Sequence, residues 1–195
     1  MNPFDLSNKV ICVTGASSGL GRQCAVSCSR MGATVVLLAR NEQRLHETLS
    51  IMDNPDKHVI IPVDLTEYAT VELVVKNIVS QVGRISGVLH CAGISTTLPL
   101  KLVTPEKLDE FFQVNVFSAY NLTREVCKMG NFSKEGGSIV FFSSVMGKVG
   151  ENGKSLYGMT KGALVSGTRS LACELAKKKI RVNTVSPGVV ITPIN

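Results

Sequence analysis

Six short apolar runs punctuate the chain, at about 9–14, 34–39, 58–63, 86–91, 137–143 and 180–185. Most are continuous, as in ATVVLLA and GSIVFFS, and do not alternate polar with apolar residues. A strand with one wet face alternates; a run that is apolar throughout belongs to a strand buried on both faces. Helical patterns separate the runs, and parallel neighbours need such crossovers, which are right-handed. The spacing therefore predicts an α/β fold, a doubly wound parallel sheet in three αβα layers. No linker, low-complexity tract or repeat interrupts it, so residues 1–195 read as a single domain.

The first run leads into a specific turn. Val10 to Thr14 is β-branched and apolar, glycines follow at 15, 19 and 21, and a helical pattern comes next, in KVICVTGASSGLGRQCAVSCSRMG. A strand, a Gly-rich turn and a helix N-terminus make a Rossmann-type pyrophosphate site, because backbone N–H groups and the positive helix end face the phosphates. The spacing is G-x-x-x-G-x-G, not the usual G-x-G-x-x-G, and the flanking strand and helix supply the context that the motif needs.

A second constellation lies in SSVMGKVGENGKSLYGMTK, where Ser144, Tyr157 and Lys161 stand thirteen and four residues apart. At helical pitch, Tyr157 and Lys161 share one face. An unperturbed Tyr has a pKa of about 10, and a nearby ammonium should lower it toward the range of a general acid/base. A serine hydroxyl could then hold a carbonyl or alcohol oxygen. Side chains donate no hydride, so proton transfer here calls for the nucleotide that the glycine turn would bind.

Composition narrows the classes. With 195 residues, 44% apolar and 18% charged, the chain is expected to be a soluble globular protein. No apolar run reaches the length of a membrane span, and MNPFDLSNK lacks a signal-peptide core, so a cytoplasmic enzyme without membrane partners is expected. Six cysteines form no C-x-x-C and no ligand pattern with His46, His58 and His90; they read as small buried hydrophobes, and no metal is expected. The net charge of +6 is dispersed apart from Lys177-Lys178-Lys179 at a helix end, which argues against nucleic acid. In the helix expected at 106–128, Leu108, Phe112, Asn115, Ala119, Leu122 and Val126 form a core-facing stripe. Asn115 is its polar member, and its amide either satisfies local backbone groups or serves a site.

Together these residues resemble the short-chain dehydrogenase/reductase family across essentially the whole chain. The resemblance rests on TGASSGLG (14–21), Asp64, Asn115, Ser144, Tyr157-x-x-x-Lys161 and SPGVVITP (186–193). It implies a catalytic tetrad of Asn115, Ser144, Tyr157 and Lys161. Tyr157 would exchange a proton with the reacting oxygen, Lys161 would lower the Tyr157 pKa and hold the nicotinamide ribose, Ser144 would hydrogen-bond the oxygen, and Asn115 would bind a water linking Lys161 to solvent. The cofactor would be held by Gly15, Ser17, Ser18, Gly19, Leu20, Gly21, Arg40, Asn41, Asp64, Leu65, Ala92, Gly93, Tyr157, Lys161, Pro187, Gly188, Val190 and Thr192. The family commonly has N-N-A-G where this chain has His90-Cys91-Ala92-Gly93. His90 is expected to be a strand-end histidine with a local partner.

Cofactor choice turns on Leu38-Ala39-Arg40-Asn41, which lacks the carboxylate that would repel a 2′-phosphate. Arg40 resembles the arginine of NADP-dependent members, which favours NADP(H) over NAD(H). The implied activity is that of a 3-oxoacyl-[acyl-carrier-protein] reductase acting on an acyl-thioester or other small carbonyl substrate. The alternatives are a sugar, polyol or steroid-type alcohol dehydrogenase, and a non-catalytic cofactor-sensing or interaction protein. The resemblance also implies a lid, a last helix and a seventh strand beyond Thr192, so the chain is expected to be C-terminally incomplete. Helices around 106–128 and 155–177 resemble the family's dimer-forming pair, implying a homodimer or homotetramer, with Leu164, Leu171 and Leu175 facing inward or across the interface.

Overall fold

The computed structural model describes residues 3–192. Six strands form one sheet in the order β3-β2-β1-β4-β5-β6: Val10–Thr14, Thr34–Ala39, Val59–Pro62, Gly87–His90, Gly137–Phe142 and Ile180–Val185 for β1 to β6. Every neighbouring pair is parallel. The helices are α1 (Gly19–Arg30), α2 (Glu42–Ser50), α3 (Tyr68–Val82), α4 (Pro105–Phe112), α5 (Ser118–Val126) and α6 (Ser155–Leu175). This is the Rossmann-type α/β fold expected from the apolar runs. No helix among the described residues is long and apolar enough to cross a membrane.

The continuous runs are explained by the two cores. Cys12, Val36 and Leu38 point to the layer filled by Val71 and Val75 of α3, Leu122 of α5 and Leu164 of α6. Their strand neighbours Ile11, Val13, Val35 and Leu37 point the other way, to Ala25 and Val26 of α1 and Leu45 of α2. Alternate side chains of one strand thus enter opposite cores, and each position has to be apolar. Leu164, Leu171 and Leu175 belong to the first of these cores, so they face inward.

Two expectations need correction. The stretch at 106–128 is not one α-helix: a π-helical segment, Gln113–Phe117, separates α4 from α5. A π turn takes in an extra residue, so the stripe shifts by one on its N-terminal side. Phe111 is buried there, whereas Leu108 is 39% exposed and Phe112 only half-buried. The cysteines are also less uniform than expected. Cys12 is buried, Cys173 is exposed, and Cys24, Cys28, Cys91 and Cys127 are half-buried.

His90, at the end of β4, has the local partner expected of it. Its Nε2 lies 2.9 Å from Thr123 Oγ1, and its ring stacks on Phe141 with centroids 4.6 Å apart. The Thr123 hydroxyl donates to the Ala119 carbonyl, so His90 Nε2 carries the proton and donates. Burial pushes its pKa down to about 3. Because an unfolded chain binds that proton near pH 6.5 and the native one does not, stability falls as the pH drops below about 6.5. The loss should reach about 2 kcal/mol at pH 5. His58, also pushed down by burial, acts in the same direction. Urea unfolding at pH 7 and pH 5 should show His90→Gln losing about 2 kcal/mol less than the parent; equal losses would mean that His90 does not carry the acid sensitivity.

Candidate active site

Two loops meet at the C-terminal ends of β1 and β4, where the strand order reverses. Thr14 Oγ1 accepts a 3.0 Å bond from the Ala92 N–H and ties these ends together. Gly15 has φ +65°, and a Cβ there would stand 2.9 Å from the Ala92 backbone. Gly21 packs on Gly15 itself: its Cβ would fall 2.2 Å from the Gly15 carbonyl oxygen. The glycines are therefore demanded by backbone-on-backbone contact. They bring the turn against the start of α1, whose N-terminus receives no side-chain cap from Ser18.

A cavity of about 640 Å³ opens over this turn. Of the proposed cofactor residues, Gly15, Ser17, Ser18, Gly19, Leu20 and Gly21 line its floor. Arg40, Asn41, Asp64 and Leu65 line one end, and Ala92, Gly93 and Thr192 also border it. Tyr157, Lys161, Pro187, Gly188 and Val190 do not line it. Pro193, the last residue of SPGVVITP, lies outside the described residues.

Sequence reasoning missed Arg44, Cys91, Ile94, Val114 and Ser118, which also line the cavity. Arg44 could have been found. It stands one helical turn after Arg40, and its N–H is capped by the Asn41 side chain at 2.9 Å, which sets it on the first turn of α2. Cys91 faces Cys24 of α1, and their thiols act on each other, lowering the Cys24 pKa and raising that of Cys91. Arg40 Nη1 lies 3.7 Å from Asp64 Oδ2, with its side chain 73% exposed. Burial opposes ionisation of Asp64, yet bonds from the Thr66 N–H and hydroxyl, with the Arg40 charge, hold its carboxyl below the usual value.

The candidate chemical groups gather beside Gly93. Lys161 is nearly fully buried, and its Nζ donates 2.8 Å to the Phe142 carbonyl at the end of β5. A Cβ on Gly93 would stand 3.3 Å from Lys161 Nζ and 3.1 Å from Asn115 Oδ1. Ser144, just past β5, stands near enough to the Tyr157 hydroxyl to oppose the rise in its pKa. Lys161 Nζ is 5.6 Å from the Tyr157 ring centre. Asn115, Ser144, Tyr157 and Lys161 are thus brought together from three separate segments.

Two details depart from expectation. Burial raises the Tyr157 pKa, and the opposing contribution comes from Ser144, not from Lys161. The lysine ammonium is anchored to the Phe142 carbonyl, and burial pushes its own pKa down to about 8. The Asn115 amide is fully engaged by the protein. It accepts from Ile94 N–H at 2.8 Å and donates to the Ile94 carbonyl and Thr160 Oγ1, both at 3.0 Å. Its side chain is a clamp on the loop after β4, so a water would have to use its backbone.

The model of the short chain dehydrogenase family matches residues 9–195. The chain belongs to this family. Among curated relatives, an uncharacterized oxidoreductase of Staphylococcus epidermidis is 32% identical over 189 residues, 97% of this chain and 81% of that protein. A cyclopentanol dehydrogenase of Comamonas testosteroni is 34% identical, covering 97% of this chain and 76% of its own. A 3-oxoacyl-[acyl-carrier-protein] reductase of Thermotoga maritima is 32% identical, with 97% and 77% covered. The crystal structure of a short-chain dehydrogenase from Streptomyces avermitilis superposes with a TM-score of 0.87 at 32% identity, over 95% of this chain and 68% of that one. A dehydrogenase/reductase from Sinorhizobium meliloti 1021 gives 0.91 at 28% identity, over 98% and 76%.

This short-chain dehydrogenase is an NAD(P)-dependent oxidoreductase, and its cavity fits such a cofactor. Gly15 and Gly21 leave a cradle that Cβ atoms would fill, the uncapped start of α1 offers N–H donors to a pyrophosphate, and two arginines border the far end.

Proposed function

We propose that this short-chain dehydrogenase is an NADPH-dependent carbonyl reductase that interconverts a carbonyl and a secondary alcohol, with 3-oxoacyl thioesters as its substrate class. The observation that carries the chemistry is Ser144 set against Tyr157 closely enough to hold its pKa down, with the Lys161 ammonium 5.6 Å from the tyrosine ring. When bound, the nicotinamide supplies or accepts hydride at the substrate carbon. Tyr157 gives its proton to the carbonyl oxygen, or takes it back in the reverse direction. Ser144 donates to the same oxygen and stabilises the charge that develops there. Lys161, held by the Phe142 carbonyl, would hold the nicotinamide ribose in place. Asn115 fixes the loop after β4 through Ile94, so that Gly93 stays clear of Lys161.

The preference for NADPH rests on Arg40 and Arg44 together at one end of the cavity. Two guanidinium groups can clamp a 2′-phosphate, and no carboxylate directly follows β2 to repel it. Pro187, Gly188, Val190 and Thr192 would close over the nicotinamide side. Residues 1–195 would act as one nucleotide-binding domain, in a cytoplasmic homodimer or homotetramer joined through α4, α5 and α6. Phe117 and Tyr120, 45% and 57% exposed, support such a contact. A second reading, oxidation of a cyclic or polyol alcohol, is favoured by the 34% identity to the cyclopentanol dehydrogenase.

Turnover with NADPH and NADH against acetoacetyl thioesters, diketones, sugars, steroids and cyclopentanol separates the two. Highest kcat/KM on a 3-oxoacyl thioester supports the first reading; highest on cyclopentanol or a sugar supports the second. Arg40→Asp places a carboxylate where a phosphate would sit and should cut the NADPH:NADH preference by about tenfold or more. An unchanged ratio would remove Arg40 from cofactor selection.

A further inference from the structure

We propose that Arg22 and Thr48 are positioning residues that preset the amide face of the glycine turn for a pyrophosphate; this rests on reading the cavity as a dinucleotide site. Arg22 lies three residues into α1 yet does not line the cavity. Its guanidinium turns to the opposite side. Nη2 donates 2.7 Å to the Ser17 carbonyl, and Nε donates 3.0 Å to Thr48 Oγ1. Thr48, on α2 and fully buried, donates its hydroxyl to the Ala16 carbonyl at 2.8 Å, with the Arg44 carbonyl a longer second acceptor at 3.1 Å. The Arg22 backbone N–H takes the Ser18 carbonyl at 3.0 Å. Three consecutive carbonyls, 16 to 18, are therefore held by two residues.

The consequence follows from peptide geometry. The peptides among the described residues are trans, and in a trans peptide the C=O and the following N–H point in opposite directions. Pulling the Ala16, Ser17 and Ser18 carbonyls toward α2 and down α1 aims the N–H groups of Ser17, Ser18 and Gly19 the other way. Those three residues line the cavity. The donors thus stand oriented before any anion arrives, and the cost of ordering them is not charged to binding. Arg22 also bonds Glu47 at 3.0 Å, so the same network ties the turn to α2, whose first turn carries Arg44. A basic residue beside a glycine loop would ordinarily be assigned to the phosphate directly. Here the guanidinium acts through the backbone.

The experiment measures dissociation constants of the full chain for NADPH, for ADP-ribose, which keeps the pyrophosphate, and for adenosine, which lacks it. Thr48→Val and Arg22→Met should each weaken NADPH and ADP-ribose by about tenfold while leaving adenosine within about twofold. Thr48→Ser, which retains the hydroxyl, should restore parental affinity. A merely structural role would weaken all three ligands alike along with the thermal midpoint, and that result overturns the proposal. So would parental affinity for ADP-ribose in Thr48→Val. If the parent chain itself bound neither NADPH nor ADP-ribose, the dinucleotide reading would fall and this inference with it.

Discussion

Gly21→Ala is expected to abolish useful cofactor affinity while the chain still folds. The added methyl would lie 2.2 Å from the Gly15 carbonyl oxygen and 2.6 Å from its carbon. Both are backbone atoms of the turn, so no side chain can swing aside. The turn has to open, and it cannot open freely. Gly15 is itself wedged against Ala92, and the carbonyls at 16 to 18 are tied back by Arg22 and Thr48. Overpacking of this kind costs about 1–3 kcal/mol. For a chain of this size that is a fall in the thermal midpoint of about 2–12 °C. NADPH affinity should drop by about a hundredfold or more, because the N–H donors move away from the pyrophosphate together. Calorimetric titration and a thermal melt on the same sample check both parts. Parental affinity at an unchanged midpoint would show that the turn tolerates the methyl, and the close-packing argument would then be wrong.

Tyr157→Phe should separate binding from chemistry. The substitution removes one hydroxyl from a half-buried ring and leaves the ring's packing and the Lys161–Phe142 bond in place. General acid/base catalysis contributes roughly 10²–10⁴ to rate, so kcat should fall by that factor with NADPH affinity essentially unchanged. The direction of the Tyr157 pKa adds a pH signature. Burial raises it and Ser144 holds it down, so Ser144→Ala should move the group further up. The pH limb of kcat that reports this group should then shift to higher pH. Activity of Tyr157→Phe within tenfold of the parent would exclude the phenol as the proton donor.

The sheet was legible because its physics is local and repetitive. A strand buried on both sides has no position where a polar residue is free of cost, and the six runs carry that signature directly. Glycine placement was legible for a related reason, since backbone packed on backbone excludes every other residue. The π segment at Gln113–Phe117 was not legible, because the stripe of Phe112, Asn115 and Ala119 fits a regular helix as well as any real one. Only the burial of Phe111 in place of Phe112 reveals the extra residue. The role of Arg22 was hidden too. Its proximity to the glycines is written in the sequence, but the side on which its guanidinium lies depends on Thr48, 26 residues away. Lys161 shows a third limit: i,i+4 spacing gives a shared face, whereas the Phe142 carbonyl decides where the ammonium rests.

The π turn has a consequence for how this helix tolerates change in length. A helix advances about 100° per residue, so a turn that holds one residue too many is a phase shift written into the chain. Deleting one residue within 113–117 would let the segment close into regular α-helix while α4 and α5 keep their present phase, with Phe111 still in the core. Closing the π turn with its residue kept would instead rotate α4 by that angle, bringing Leu108, now at the surface, toward the core and taking Phe111 out of it. The segment that carries Asn115 is therefore a register mark: the sequence on either side is composed for different phases, and the two halves agree only while the π turn absorbs the extra residue between them.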